Sequence, residues 1–118
     1  MRELTSHKVN PVNDMLTVTA HDDPGPAGAS HNYSIMQPNG QGPTIRFQNG
    51  PINENGVNGI THEALMAIII DRFEGFQAGP FENTDNAAVL VHMKSALRAM
   101  NAHWGAWRSS MPRAPNNT

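Results

Sequence analysis

Alternation of apolar and polar residues predicts three short strands in the first half of the chain. Residues 15–20 (MLTVTA) alternate in this way and are rich in β-branched side chains, which is typical of a half-buried strand. Residues 31–36 (HNYSIM) and 44–48 (TIRFQ) are similar, and turn-rich segments separate the three runs. The pattern therefore predicts a small antiparallel sheet within residues 15–48, with one face exposed to water.

The second half of the chain has the periodicity of two amphipathic helices. Thr61 is a predicted N-cap, and the first helix, residues 61–78, stops at Gly79-Pro80. Thr84 is the predicted cap of the second helix, residues 85–107. The link between them is short, which predicts an antiparallel αα-hairpin and an α+β fold class. The apolar positions at helical spacing are Leu65, Met66, Ile69, Ile70, Phe73 and Phe76, then Val89, Met93, Ala96, Leu97, Met100 and Trp104.

The two ends of the chain lack either pattern. Residues 1–14 are predicted to form a polar arm, because Pro11 and the Asn13-Asp14 pair disfavour a regular element. Residues 108–118 are predicted to form a tail without regular structure. A chain of 118 residues is expected to form a single domain over residues 1–118.

Composition and charge remove several function classes. The net charge of −2 provides no basic surface for DNA or RNA, and the absence of cysteine removes disulfides and thiolate chemistry. The N-terminus has no apolar signal core, and the run LMAIII is too short to span a bilayer. We therefore expect a soluble cytoplasmic protein with neither a nucleic-acid nor a membrane partner.

Motifs for catalysis or metal binding are weak. The six histidines form no HxH, HxxxH or HExxH pattern, so a metal site is not predicted. Neither a GxSxG motif nor a Walker loop is present, and the Asp22-Asp23 pair belongs to a predicted turn. The pairs Asn49-Gly50 and Asn58-Gly59 predict tight turns with positive φ, and the alternative is that they line a ligand pocket. We expect neither enzymatic activity nor a cofactor.

Aromatic residues near the ends of the hairpin are the best candidates for ligand contact. Phe76 lies in the last turn of the first predicted helix, where its ring is either core or a platform for stacking a base. Trp104, Trp107 and Arg108 cluster late in the second helix. They could hold a purine and a phosphate or form an oligomer interface, and both interpretations stay open.

Three long segments carry a resemblance to a known family. They are HKVNPVNDMLTVTAHDDPGPAGASHNYSI, IRFQNGPINENGVNGITHEALMAIIIDRFEGFQAGPF and ENTDNAAVLVHMKSALRAM, and they cover most of the chain. The chain resembles the phage anti-Thoeris immune-signal sponges, which share a helical hairpin with anti-CBASS cyclic-nucleotide sponges. The resemblance implies an α+β protomer that assembles as a dimer or a hexamer. It also implies binding, without cleavage, of nucleotide second messengers such as glycocyclic ADP-ribose isomers and cyclic di- or trinucleotides.

Site residues follow from the same resemblance. Phe76 matches a phenylalanine that stacks on the base, and Asn86 matches an asparagine that gives polar contacts. The family pattern also has two arginines late in the second helix, and this sequence departs from it with His103, Trp104 and Trp107. Each lost charged hydrogen bond costs about 1.5–3 kcal/mol of binding free energy. Another cation replaces the two arginines, or this chain prefers a different messenger, or it keeps only the trinucleotide-type site between dimers. The candidate cations are Arg46, Arg98 and Arg108.

The sequence therefore predicts a non-catalytic protein that sequesters immune second messengers in the host cytoplasm. The alternative is a phage accessory oligomer that docks a host protein and has no small-molecule ligand. The predicted ligand-binding residues are Phe76, Asn86, His103, Trp107, Arg108 and Arg46.

Overall fold

Four antiparallel strands and a helical hairpin make up the fold seen in a computed structural model, which describes the backbone of residues 1–110 and the side chains of residues 1–102. The α+β fold class is confirmed. The chain divides into two compact units at Ile60–Thr61, and the single domain over residues 1–118 stays a prediction. In chain order the elements are β1 (Arg2–Leu4), α1 (Pro11–Asp14), β2 (Thr17–Ala20), β3 (Asn32–Met36), β4 (Thr44–Arg46), α2 (Ile52–Asn55), α3 (His62–Gln77) and α4 (Thr84–Ser110).

The sheet of the first unit has the strand order β1-β2-β3-β4, so each strand pairs with its neighbour in sequence. Its three later strands lie where alternation predicted strands. Ala20, at the end of β2, is 0% exposed, and Ser34, in the middle of β3, is 2% exposed. The buried Ser34 hydroxyl lies 2.7 Å from Nε2 of His21, which satisfies its hydrogen-bonding capacity inside the sheet.

The N-terminal segment differs from the predicted polar arm. β1 pairs antiparallel with β2, with Arg2 opposite Ala20 and Leu4 opposite Val18. β1 is ordered by backbone hydrogen bonds to β2. Such bonds do not depend on side-chain type, so three residues carry no alternation from which the strand could be predicted. Pro11 does not break a helix here but occupies the start of α1, where proline needs no hydrogen-bond partner for its nitrogen.

A braced loop, residues 48–60, closes the first unit after β4. Gln48 Nε2 donates to the carbonyl oxygens of Gly50 and Gly56 at 3.2 and 2.8 Å. The Asn58 carboxamide accepts from the Asn49 N–H and donates to the Asn49 carbonyl, both at 2.8 Å. Gly50 has the predicted positive φ of 85°, but Gly59 is not among the glycines with positive φ. At Gly59 the reason for glycine is a close backbone approach, described below.

The two long helices form the second unit and pack against each other. The Thr61 hydroxyl accepts from the Ala64 N–H at 3.1 Å, so the predicted cap of α3 is confirmed. The cap of α4 is not Thr84 but Asn83, whose Oδ1 accepts from the Asn86 N–H at 2.7 Å. α4 extends to Ser110, so residues 108–110 belong to the helix and not to the predicted tail, whose remainder, residues 111–118, lies outside the described residues.

In the part of the chain that the structure describes, no helix combines the length and the apolar character that crossing a bilayer requires.

Candidate ligand-binding site

Phe76 is positioned in the last turn of α3 as a partly exposed ring. Its ring makes a T-shaped contact with the ring of Phe73, with ring centroids 5.8 Å apart and planes at 83°. The residue is 36% exposed, more than a core phenylalanine would be. The guanidinium carbon of Arg72, one turn earlier, lies 5.6 Å from the Phe76 centroid. The ring is therefore oriented by one aromatic neighbour and paired with a cation.

Asn86 lies in the first turn of α4 and is half-buried. Its backbone N–H is used by the Asn83 cap, while within residues 1–102 its carboxamide has no hydrogen-bond partner. Gln77 Oε1 accepts from the Asn83 N–H at 3.0 Å, which ties the end of α3 to the start of α4. Phe76 and Asn86 are thus held at the same end of the hairpin, the end that contains the connecting loop.

One of the three cations on the described part of the hairpin is paired with a carboxylate. Glu74 and Lys94 form an ion pair of 2.8 Å between α3 and α4, so this lysine is already neutralised. Among the described side chains, Arg72 and Arg98 form no ion pair. Arg72 was missed by the sequence analysis, although its position four residues before Phe76 on a helix was a usable signal.

The other predicted site residues are described only in part. Arg46 is exposed in β4 of the first unit, and its carbonyl accepts from the Ile60 N–H at 2.8 Å. The side chains of His103, Trp107 and Arg108 lie outside the described residues. Their backbone belongs to α4, and at 1.5 Å per residue His103 follows Asn86 by about 25 Å along the helix axis. Within one copy of the chain, the backbone positions of Asn86 and His103 are therefore well separated along α4.

A second polar cluster, in the first unit, has a structural explanation. The Asp22 carboxylate accepts from the Asn32 and His31 N–H groups, each at 2.9 Å for its shorter contact. These two donors hold the pKa of Asp22 below its ordinary range. The carboxylate thereby fixes the turn between β2 and β3, as its predicted place in a turn requires. Within the described residues, histidine and carboxylate side chains form no group that could hold a metal ion.

Comparison with known proteins places this geometry in a wider context. Residues 39–103 match a family described as Acb2/Tad1, hairpin domain, a range that includes Phe76 and Asn86. The chain is also similar to a protein described as Thoeris anti-defense 1 from Bacillus phage SBSphiJ7. The identity is 34% over 77 residues, which cover 65% of this chain and 54% of that protein. The match therefore spans about half the length of that relative.

Proposed function

This chain belongs to the Acb2/Tad1 hairpin-domain family, and on that premise we propose that it sequesters nucleotide-derived immune second messengers without cleaving them. A relative from Bacillus phage SBSphiJ7 is described as Thoeris anti-defense 1. The proposed site of action is the cytoplasm of the infected host, where a messenger held by this protein cannot reach its receptor. The proposed ligands are glycocyclic ADP-ribose isomers and cyclic di- or trinucleotides.

The observation that carries the proposal is the arrangement around Phe76. The Phe76 ring is partly exposed and in T-shaped contact with Phe73, and we propose that it stacks on a base, a contact worth about 1–3 kcal/mol per base. The Arg72 guanidinium beside the ring supplies positive charge for a phosphate. The Asn86 carboxamide, without a partner among the described residues, supplies a donor and an acceptor.

Affinity arithmetic favours a pocket shared between copies of the chain. Sequestration requires a Kd below the working concentration of the signal, and a nanomolar Kd corresponds to about −12 kcal/mol. One stacked base and one charged contact supply only about 2.5–6 kcal/mol before the entropic cost of binding. The remainder has to come from groups outside the Phe76 end of a single hairpin.

The length of α4 leads to the same proposal. Along the axis of α4, His103 lies about 25 Å from Asn86 and Trp107 lies one turn further. This distance is longer than one mono- or dinucleotide. Both groups can contact one ligand only if they come from different copies. Large apolar side chains on the hairpin surface, such as Ile68 and Val91 at 60% and 65% exposed, are suitable for burial between copies. We therefore propose a dimer or a hexamer, with no DNA, RNA or membrane partner.

The replacement of the two family arginines bears on the choice of messenger. His103 and Trp107 favour stacking over bidentate phosphate contacts, because only arginine offers the rigid guanidinium fork. We propose that this chain binds its messenger with stacking on both sides and phosphate contacts from Arg72, Arg108 or Arg46.

Recovery of the ligand tests the proposal directly. The protein is purified from cells that produce an immune messenger, denatured, and the released small molecules are identified by mass spectrometry. An intact messenger supports sequestration, whereas an altered one would show an enzyme, and no ligand across a thermal-shift panel of cyclic ADP-ribose isomers and cyclic oligonucleotides would favour protein docking.

Subunit mixing tests the shared pocket. Phe76→Leu and a double variant, His103→Ala with Trp107→Ala, should each bind poorly as pure oligomers. Mixed oligomers should regain a fraction of the sites, because one copy supplies Phe76 and the other supplies the late-helix residues. If mixing restores no binding while light scattering shows mixed oligomers, each pocket belongs to one copy.

A further inference from the structure

Four Asn-Gly pairs lie within a short part of the sequence. Glycine after asparagine is the step most prone to deamidation, because without a Cβ the glycine nitrogen reaches the asparagine side chain easily. The structure holds each pair differently, so the four make an internal comparison. The pairs are Asn39-Gly40, Asn49-Gly50, Asn55-Gly56 and Asn58-Gly59.

The Asn39-Gly40 pair is held on both sides of the reacting bond. The Gly40 N–H donates to the Gln37 carbonyl at 2.9 Å, so the nitrogen that would attack is already engaged. Asn39 Oδ1 accepts from the Gln41 N–H at 2.9 Å, which keeps the carboxamide in a fixed turn. Both hydrogen bonds have to open before the ring can close.

The last two pairs are also held, by different partners. The Gly56 N–H donates to the Ile52 carbonyl at 2.8 Å, which engages the nitrogen that follows Asn55. Asn58 is held through its side chain, whose oxygen and nitrogen both bond to the Asn49 backbone at 2.8 Å. Its carboxamide therefore cannot turn towards Gly59 without losing two hydrogen bonds.

Asn49-Gly50 differs from the other three. The Asn49 side chain is exposed and, in the described part of the chain, forms no hydrogen bond. The Gly50 N–H likewise has no acceptor among the described residues. At this step neither the Gly50 nitrogen nor the Asn49 carboxamide has a hydrogen bond to break within the described residues, and the restraint on Asn49 is confined to its backbone, which the Asn58 side chain holds.

We propose that Asn49 is a site of spontaneous modification, and that it deamidates ahead of the other three asparagines. The Gly50 nitrogen attacks Cγ of Asn49 and forms a five-membered succinimide. The Cγ–Nδ2 bond breaks, and ammonia leaves with the proton that the Gly50 amide gave up through solvent. Water then opens either imide carbonyl, which yields aspartate or isoaspartate and returns a proton to the Gly50 nitrogen.

The products act on the brace of the 48–60 loop. Isoaspartate inserts a side-chain methylene into the backbone between residues 49 and 50. The Asn49 N–H and carbonyl oxygen are the two groups that the Asn58 carboxamide holds, so a longer backbone misaligns both bonds. Either product therefore adds a negative charge to the loop, and isoaspartate also loosens it.

Peptide mapping of the folded protein, aged at mildly alkaline pH, tests the proposal. Trypsin cuts after Arg46 and Arg72, so Asn49, Asn55 and Asn58 fall in one peptide and share any artefact of digestion. Fragment ions then assign the modified residue. The reacting carboxamide of Asn58 has to break two hydrogen bonds and that of Asn49 breaks none, so we expect Asn49 to react at least about tenfold faster. In guanidinium the four rates should converge.

Two variants serve as controls. Asn49→Gln should remove most of the early modification, since glutamine closes a six-membered ring more slowly, whereas Asn39→Gln should leave the rate at Asn49 unchanged. The proposal is overturned if Asn39, Asn55 or Asn58 reacts as fast as Asn49 in the folded protein. It is also overturned if, in the folded protein, the deamidation rate of Asn49 does not exceed the mean rate of the other three asparagines.

Discussion

Replacement of Phe76 by leucine separates the ring's role in binding from its role in packing. Leucine keeps most of the apolar volume but has no flat face, so it cannot stack on a base. Loss of one stacked base is worth about 1–3 kcal/mol, which weakens binding by about 5- to 150-fold. The proposed messenger site therefore predicts a large loss of affinity for Phe76→Leu.

The cost to stability follows from the contacts of the ring. Phe76→Leu removes the edge-on contact with Phe73, worth about 0.5–1.5 kcal/mol, and the Arg72 contact, worth about 0.5–1 kcal/mol at an exposed site. Because the ring is already 36% exposed, we expect a total of about 1–2 kcal/mol in the free energy of unfolding. The variant should stay folded.

Calorimetric titration with the ligand found in the thermal-shift panel measures the loss of affinity. Chemical unfolding measures the loss of stability. Phe76→Tyr is the matched control, because it retains the ring and should bind within a few-fold of the wild type. Phe73→Leu removes the supporting ring and should cost more stability than affinity. Binding by Phe76→Leu at the wild-type level, or equal losses for leucine and tyrosine, would refute the stacking argument.

Three further predictions concern the scaffold. A Cβ at Gly59 would lie 2.5 Å from the carbonyl carbon of Phe47, so Gly59→Ala should lower the free energy of unfolding by about 2–3 kcal/mol in chemical unfolding. Gly75 lies in a helix with open space around it, so Gly75→Ala should raise the free energy of unfolding by up to about 1 kcal/mol. Asn83→Ala should cost about 1 kcal/mol of thermal stability through the lost α4 cap, and Thr84→Ala much less. Because its folded-state pKa is lowered, ionised Asp22 stabilises the fold above about pH 4, so Asp22→Asn should be less stable than the wild type at neutral pH and the gap should close as the pH falls further.

Much of the fold could be predicted because apolar periodicity and caps are local signals. The stripe through Ile70 and Phe73 and the hydroxyl of Thr61 place α3 within a residue of its observed bounds. β1 could not be predicted in the same way, since Arg2–Leu4 is ordered by backbone pairing with β2 rather than by its own pattern. Asn83 and Thr84 are adjacent and both residue types are common N-caps, so the sequence does not decide between them. In the structure Asn83 is the cap, and its N–H also donates to the Gln77 side chain.

The glycines of the 48–60 loop show why other parts of the structure were harder to predict. Gly50 and Gly59 both follow asparagine, yet one is required for positive φ and the other for a close approach to the Phe47 backbone. The sequence alone does not separate these reasons. Phe76 could be predicted as a candidate from its place at the end of the apolar stripe of α3. The Arg72 contact could not, because it depends on side-chain orientation.

Salt dependence tests the proposed role of the late-helix residues His103 and Trp107 in messenger recognition. Contacts between cations and phosphate weaken as salt screens them, whereas stacking does not depend on charge. If His103 and Trp107 have replaced phosphate contacts by stacking, the Kd of the preferred messenger should change little between low and physiological salt. Restoring arginine at both positions should then strengthen binding of a diphosphate messenger and make its Kd steeply salt-dependent. An unchanged affinity and an unchanged salt profile in that double variant would show that the late part of α4 lies outside the pocket, so that Arg72, beside Phe76, would be the better candidate for phosphate recognition.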